Sequence, residues 1–151
     1  MTHVQHSYTV TQPVTTVFEF LSNPRLEPKW NPWIQEVKLP VDSEVGEGIA
    51  FVAIYRFMGQ EFKMNILIER YLPPRELTLK VIDGPFLGRT TYFLSPGSGN
   101  DTQVDVDFFL DPKEFFGIIP KALLAPIFRK SLRDDCRRQK ALMENEAGDA
   151  V

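Results

Sequence analysis

Val4, His6, Tyr8 and Val10 alternate with Gln5, Ser7 and Thr9 near the start of the chain, the period-two pattern of a strand with one buried face. The pattern breaks at Thr11-Gln12-Pro13, where a proline suits the first turn of a helix, and Val14, Val17, Phe18 and Leu21 then recur at helical spacing. Ser22-Asn23-Pro24 closes that helix, and residues 25–30 form a second short helical piece before Asn31-Pro32. From Trp33 to Leu110, Gly and Pro signals interrupt apolar alternation at short intervals, predicting strands near 33–39, 48–57, 61–72, 76–82, 87–95 and 102–110. The period then changes. Pro120 to Met143 reads as one long helix with a local kink at Pro126 and an apolar stripe of Leu124, Phe128, Leu132 and Cys136. Arg129, Arg133, Arg137 and Lys140, interleaved with Asp134, Asp135 and Glu144, are expected on its solvated faces.

Short turns fix which residues stand opposite one another, so the inward faces can be tied together. Phe62, Met64, Ile66 and Ile68 form one apolar face, and a tight turn at Gly59 places Phe51, Ala53, Tyr55 and Phe57 on the same side. The Pro73-Pro74 turn adds Leu77, Leu79 and Val81. On the last strand Val104, Val106 and Phe108 point inward and Asp105 and Asp107 to water, which turns Thr90, Tyr92 and Leu94 of the preceding strand inward. Arg56 and Asn65 are expected outside, leaving Tyr55, Thr90 and Tyr92 as the inward polar groups of these strands. One antiparallel sheet of about seven strands needs a large element to cover its apolar face, and only the C-terminal helix is long enough. The fold class is therefore α+β.

Composition adds bounds. A chain of 151 residues with 43% hydrophobic and 25% charged residues is of ordinary size and make-up for one globular domain, expected over 1–145, with 146–151 as a frayed tail. The single Cys136 cannot form an internal disulfide and, within a helical pattern, reads as a packed thiol. The net charge of -3 lacks the broad positive field that binds a phosphate backbone, so nucleic acid is not the expected partner. The opening Met-Thr-His-Val-Gln-His-Ser-Tyr has no basic run leading into an apolar stretch, and cytoplasmic residence is the expectation. The apolar region from Phe115 to Phe128 contains Lys121 and two prolines and is too short to cross a bilayer.

Thr11-Gln12-Pro13-Val14-Thr15-Thr16-Val17-Phe18, then Lys29-Trp30-Asn31-Pro32-Trp33, Val45-Gly46-Glu47-Gly48 and the long closing helix together resemble the START-like or SRPBCC superfamily. That superfamily includes polyketide cyclase/dehydrase-like proteins, lipid-transfer domains and coenzyme Q-binding proteins, and the resemblance spans roughly residues 3–143. It implies a helix-grip fold, a curved sheet wrapped around the C-terminal helix with a deep apolar cavity between them. Its motifs are structural and name no cargo. In such a fold the Trp30–Trp33 segment borders the cavity mouth. The expected wall comprises Trp30, Phe51, Tyr55, Met64, Ile66 and Leu79, continued by Thr90, Tyr92, Val106, Phe108, Leu124 and Phe128.

Chemistry in that cavity has few sequence candidates. His3 and His6, three apart on a strand, point to opposite faces and do not share a metal ion, so no metal and no cofactor is expected. His6 beside Tyr8 is a candidate proton shuttle, set against a structural, hydrogen-bonded histidine. No Gly-x-Ser-x-Gly occurs, and Gly97-Ser98-Gly99 has the context of a turn. Tyr55 and Tyr92 are candidates to orient a ligand carbonyl, set against plain core packing. No inward carboxylate is expected. Three function classes follow: binding or transport of a hydrophobic molecule such as a lipid, isoprenoid or aromatic polyketide; a cyclase/dehydratase-like enzyme using Tyr55, Tyr92 or His6; and a module docking on a membrane or protein through 115–128, which otherwise serves as a lid or is buried under the sheet edge.

Overall fold

A computed structural model describes residues 2–40, 44–112 and 120–149. The chain runs β1 (Thr2–Val10), α1 (Val14–Leu21), a 3₁₀ turn (Pro24–Leu26) and α2 (Glu27–Trp30). Six strands follow, β2 (Ile34–Lys38), β3 (Ala50–Phe57), β4 (Gln60–Leu72), β5 (Glu76–Asp83), β6 (Phe86–Pro96) and β7 (Thr102–Pro112), and then α3 (Lys121–Asp149). All seven strands form one antiparallel sheet in the order β1-β7-β6-β5-β4-β3-β2, so the first strand returns to pair with the last. The helix packs on the concave face, against β1 and α2. This is the expected α+β helix-grip architecture.

Hairpin geometry sets the inward faces. Met58 and Gly59 both take positive φ (53° and 78°), the two-residue turn whose twist matches that of paired strands, and glycine tolerates it without strain. The turn pairs Phe57 with Gln60 and hence Tyr55 with Phe62, Ala53 with Met64 and Phe51 with Ile66. Thr90, Tyr92 and Leu94 lie opposite Phe108, Val106 and Val104 across β6 and β7. Outside, Gln5 and Ser7 donate to the carboxylates of Asp107 and Asp105, both at 2.6 Å, which keeps those aspartates on the solvent side. Arg56 is exposed and pairs with Glu61. A register shift between Ile68 and Arg70 adds what simple alternation does not give: both Ile68 and Tyr71 turn inward, and the Tyr71 ring meets Phe18 of α1 edge-on at 5.3 Å.

The helix α3 continues through Pro126 and runs on to Asp149. Leu124, Phe128 and Cys136 of its stripe are buried, and Leu132 is half-buried. Of the apolar run before and within it, residues 113–119 lie outside the described residues, and so does the choice between lid, docking edge and buried connection. Among the described residues no helix is long and apolar enough to cross a membrane.

Candidate functional site

Between the sheet and α3 lies a cavity of about 110 Å³. Its wall is mostly apolar because the inward strand positions converge there: Met64 and Ile66 of β4, Leu79 and Val81 of β5, Phe86 of β6 and Phe108 of β7. Aromatic rings close one side. Trp33 meets Phe57, Tyr55 and Phe128 edge-on at 4.8, 5.7 and 5.8 Å, and Phe86 lies 5.8 Å from both Tyr55 and Phe128. Both tryptophans of the chain border the space, Trp30 from the end of α2 and Trp33 from the loop into β2.

Of the twelve wall positions expected from sequence, Trp30, Tyr55, Met64, Ile66, Leu79, Thr90, Tyr92, Phe108 and Phe128 border the cavity. Phe51, Val106 and Leu124 do not: they are 2%, 2% and 0% exposed within the packed core, on the correct faces but away from the void. His6 shares the concave side of β1 with Tyr8 yet is absent from the cavity wall. Partial burial, then the nearby Arg133 and Arg137 cations, hold its imidazole below the ordinary histidine range. His3 is on the opposite face, its ring stacked on Phe109 at 4.1 Å.

Two carboxyl groups change the expected chemistry. Asp135, assigned from sequence to a solvated helix face, is 7% exposed and borders the cavity. The correction has a simple geometric basis: Asp135 follows Phe128 by seven and Leu132 by three positions, so it continues their stripe. Its Oδ1 accepts from Arg138 Nη1 at 3.2 Å, but burial outweighs that cation and pushes its pKa up to about 7. Glu27 of α2 is 3% exposed, with Oε2 lacking any hydrogen-bond partner. Burial, then the Asp135 charge, raises its pKa to about 8. Glu27 stands three residues before Trp30, a spacing that already placed it on the inward side of the short helix. The expectation of no inward carboxylate is thereby overturned.

The hydroxyls of Tyr55 and Tyr92 differ. Tyr92 accepts from Gln139 Nε2 at 3.1 Å, and Gln139 Oε1 accepts from the Tyr8 hydroxyl at 2.6 Å, a chain of three buried or half-buried side chains. Tyr55 is 2% exposed and its hydroxyl has no partner; neither has the indole Nε1 of Trp30. Burial, with Asp135 nearby, pushes the Tyr55 phenol far above its ordinary pKa, so it stays a neutral donor. Cys136 is buried, its thiol raised to about 12 by burial and then Asp135, which leaves it inert. The site therefore combines a mostly apolar wall, unpartnered donors and one wall carboxyl, Asp135, held near neutrality by burial, with Glu27 buried on α2 outside the wall.

An antiparallel sheet gripping a C-terminal helix over such a cavity defines a START-like protein. The chain belongs to the family described as polyketide cyclase / dehydrase and lipid transport, whose model matches residues 1–144. Solved structures share the fold at low sequence identity. A START superfamily protein from Mycobacterium smegmatis superposes with a TM-score of 0.81 at 15% identity, covering 95% of this chain and 97% of its own. A protein from Thermus thermophilus gives 0.77 at 13% identity, covering 93% and 96%. The di-domain ARO/CYC StfQ of the steffimycin biosynthetic pathway gives 0.73 at 11% identity over 96% of this chain and 46% of its own. No match is found among the curated proteins.

Proposed function

We propose that the protein binds a small, neutral, hydrophobic molecule carrying a hydrogen-bond-accepting oxygen, within the cavity between sheet and helix. The observation that carries this reading is the Tyr55 hydroxyl, buried without a partner, on a residue in the wall of a mostly apolar space. A buried unsatisfied polar group costs about 1–3 kcal/mol, a penalty that an incoming acceptor would relieve. Trp30 Nε1, a donor only, supports the same polarity of recognition. Asp135 is the sole ionisable carboxyl in the wall, and no lysine or arginine borders the space among the described residues. An anionic headgroup placed there would meet no counter-charge, which favours a neutral ligand. Family membership agrees with hydrophobic cargo in general terms, and the aromatic wall fits a ring-bearing compound of the lipid, isoprenoid or polyketide kind.

The test is native mass spectrometry of gently purified protein, before and after denaturing extraction, with tryptophan emission recorded alongside. Because both tryptophans border the cavity, ligand removal is expected to shift their emission together with the loss of a bound mass. A protein that carries no compound, and whose emission is unmoved by the neutral apolar dye N-phenylnaphthylamine, would overturn the reading.

A cyclase/dehydratase-like activity is favoured by a separate observation, the Asp135 carboxyl, which borders the cavity and is raised by burial to about 7.

A further inference from the structure

Asp135 occupies a boundary. It borders the interior cavity and also an outer cleft formed with Pro32, Ile127, Lys130 and Arg138, the two spaces sharing Trp33, Ser131 and Asp135. A carboxyl in that position can exchange protons with solvent on one side and with a cavity ligand on the other. Across the cavity wall, within electrostatic reach, stands the unpartnered Tyr55 hydroxyl, a donor suited to an oxygen that gains negative charge. We propose that Asp135 removes and returns the proton on the carbon next to a carbonyl whose oxygen is held by Tyr55, so that the cavity catalyses carbonyl enolisation. This rests on the cavity being a binding site, as proposed above.

The step balances without any cofactor. The Asp135 carboxylate takes a proton from the α-carbon; the C–H electron pair becomes the C=C bond of the enolate, and the C=O π pair moves onto oxygen. The Tyr55 O–H donates to that oxygen and lowers the energy of the developing charge. Reprotonation of carbon by Asp135 restores the ketone, with solvent hydrogen in place of the original if the carboxyl exchanges in between. Titration near neutrality supports the assignment, because a group with a pKa near the operating pH serves as base and then as acid. The charged and titratable groups facing Asp135 are Asp134, Cys136 and Arg138 on its own helix, Glu27 on α2 and Tyr55 on β3. Tyr92 on β6 is also within reach, and Lys130 engages Asp134 at 2.7 Å in the outer cleft.

Acetophenone is a suitable probe, a neutral aromatic ketone. Its binding is followed by chemical shifts of the two tryptophan indole N–H groups, and its chemistry by loss of the methyl proton signal in deuterated buffer. Wild-type protein is expected to accelerate exchange, with a rate rising through neutral pH as Asp135 ionises. Asp135→Asn is expected to retain binding within about threefold while losing about a hundredfold or more in exchange rate. Tyr55→Phe is expected to lose about tenfold in the same rate. Unmoved indole resonances would overturn the binding reading and this inference with it. Binding with exchange no faster than in Asp135→Asn would overturn the inference alone and leave the binder intact.

Discussion

Tyr8, Gln139 and Tyr92 bury their polar atoms in one hydrogen-bonded chain, whereas beside α2 Glu27, Trp30 and Tyr55 each bury an atom with no partner. Both groups lie under the same helix. Each unpartnered atom costs about 1–3 kcal/mol, so the α2 end stands less stable than its apolar packing alone would make it. The first cluster reads as architecture, fixing β1, β6 and α3 to one another. On the function proposed above, the second is the binding end, where the missing partner is supplied by the ligand.

Packing shows the same division. Leu77 is 1% exposed in the packed region, while Met64, 3% exposed, borders the cavity. Leu77→Ala is expected to cost about 4 kcal/mol in denaturant unfolding, and Met64→Ala about 2 kcal/mol, because a side chain that already borders a void has fewer contacts to lose. Equal losses would erase the distinction between a packed and an open end.

Ionisation sharpens it next. The Glu27 carboxyl titrates at about 8 in the fold against an ordinary 4.5, so over that interval the folded state binds more protons than the unfolded one. Its contribution to stability is therefore fully present below pH 4.5 and is lost as the pH rises through about 8. Glu27→Gln is expected to leave stability unchanged at acid pH and to raise it by on the order of 5 kcal/mol at alkaline pH, read from melting temperatures across pH. A gain that is the same at all pH values would mean that ionisation is not the cost. The smallest dependence on pH is expected at the satisfied cluster. Gln139→Met keeps the volume but strands two tyrosine hydroxyls, costing about 2 kcal/mol with little change in its pH dependence.

Much of the fold was legible because it depends on local periodicity. Alternation along β3, β4, β6 and β7, joined by the turn at Met58-Gly59, places Tyr55, Thr90 and Tyr92 inside, and the sheet register repeats that assignment. The register shift at Ile68–Arg70 was not legible, since an extra residue in one strand leaves no mark in alternation until its partner is known. Asp135 and Glu27 were missed for a different reason. Charge placed Asp135 on the solvated face although its spacing from Phe128 puts it on the buried stripe, and Glu27, three residues before Trp30, was given no face at all.

Sequence by itself determined the order of elements, the faces of the strands and the need for one long helix to cover them, because hydrophobic burial acts on every residue through its position in a repeat. Only the tertiary structure decided where that interior is filled and where it is left open. Phe51, Val106 and Leu124 obey the same pattern as Met64, Ile66 and Phe128, yet the first three are packed solid and the second three border a cavity. The difference arises from the curvature of the sheet and the seating of α3 and α2 against it, which no single segment encodes. The same seating carries Asp135 and Glu27 out of water, and burial then moves two ordinary carboxylates into the neutral range.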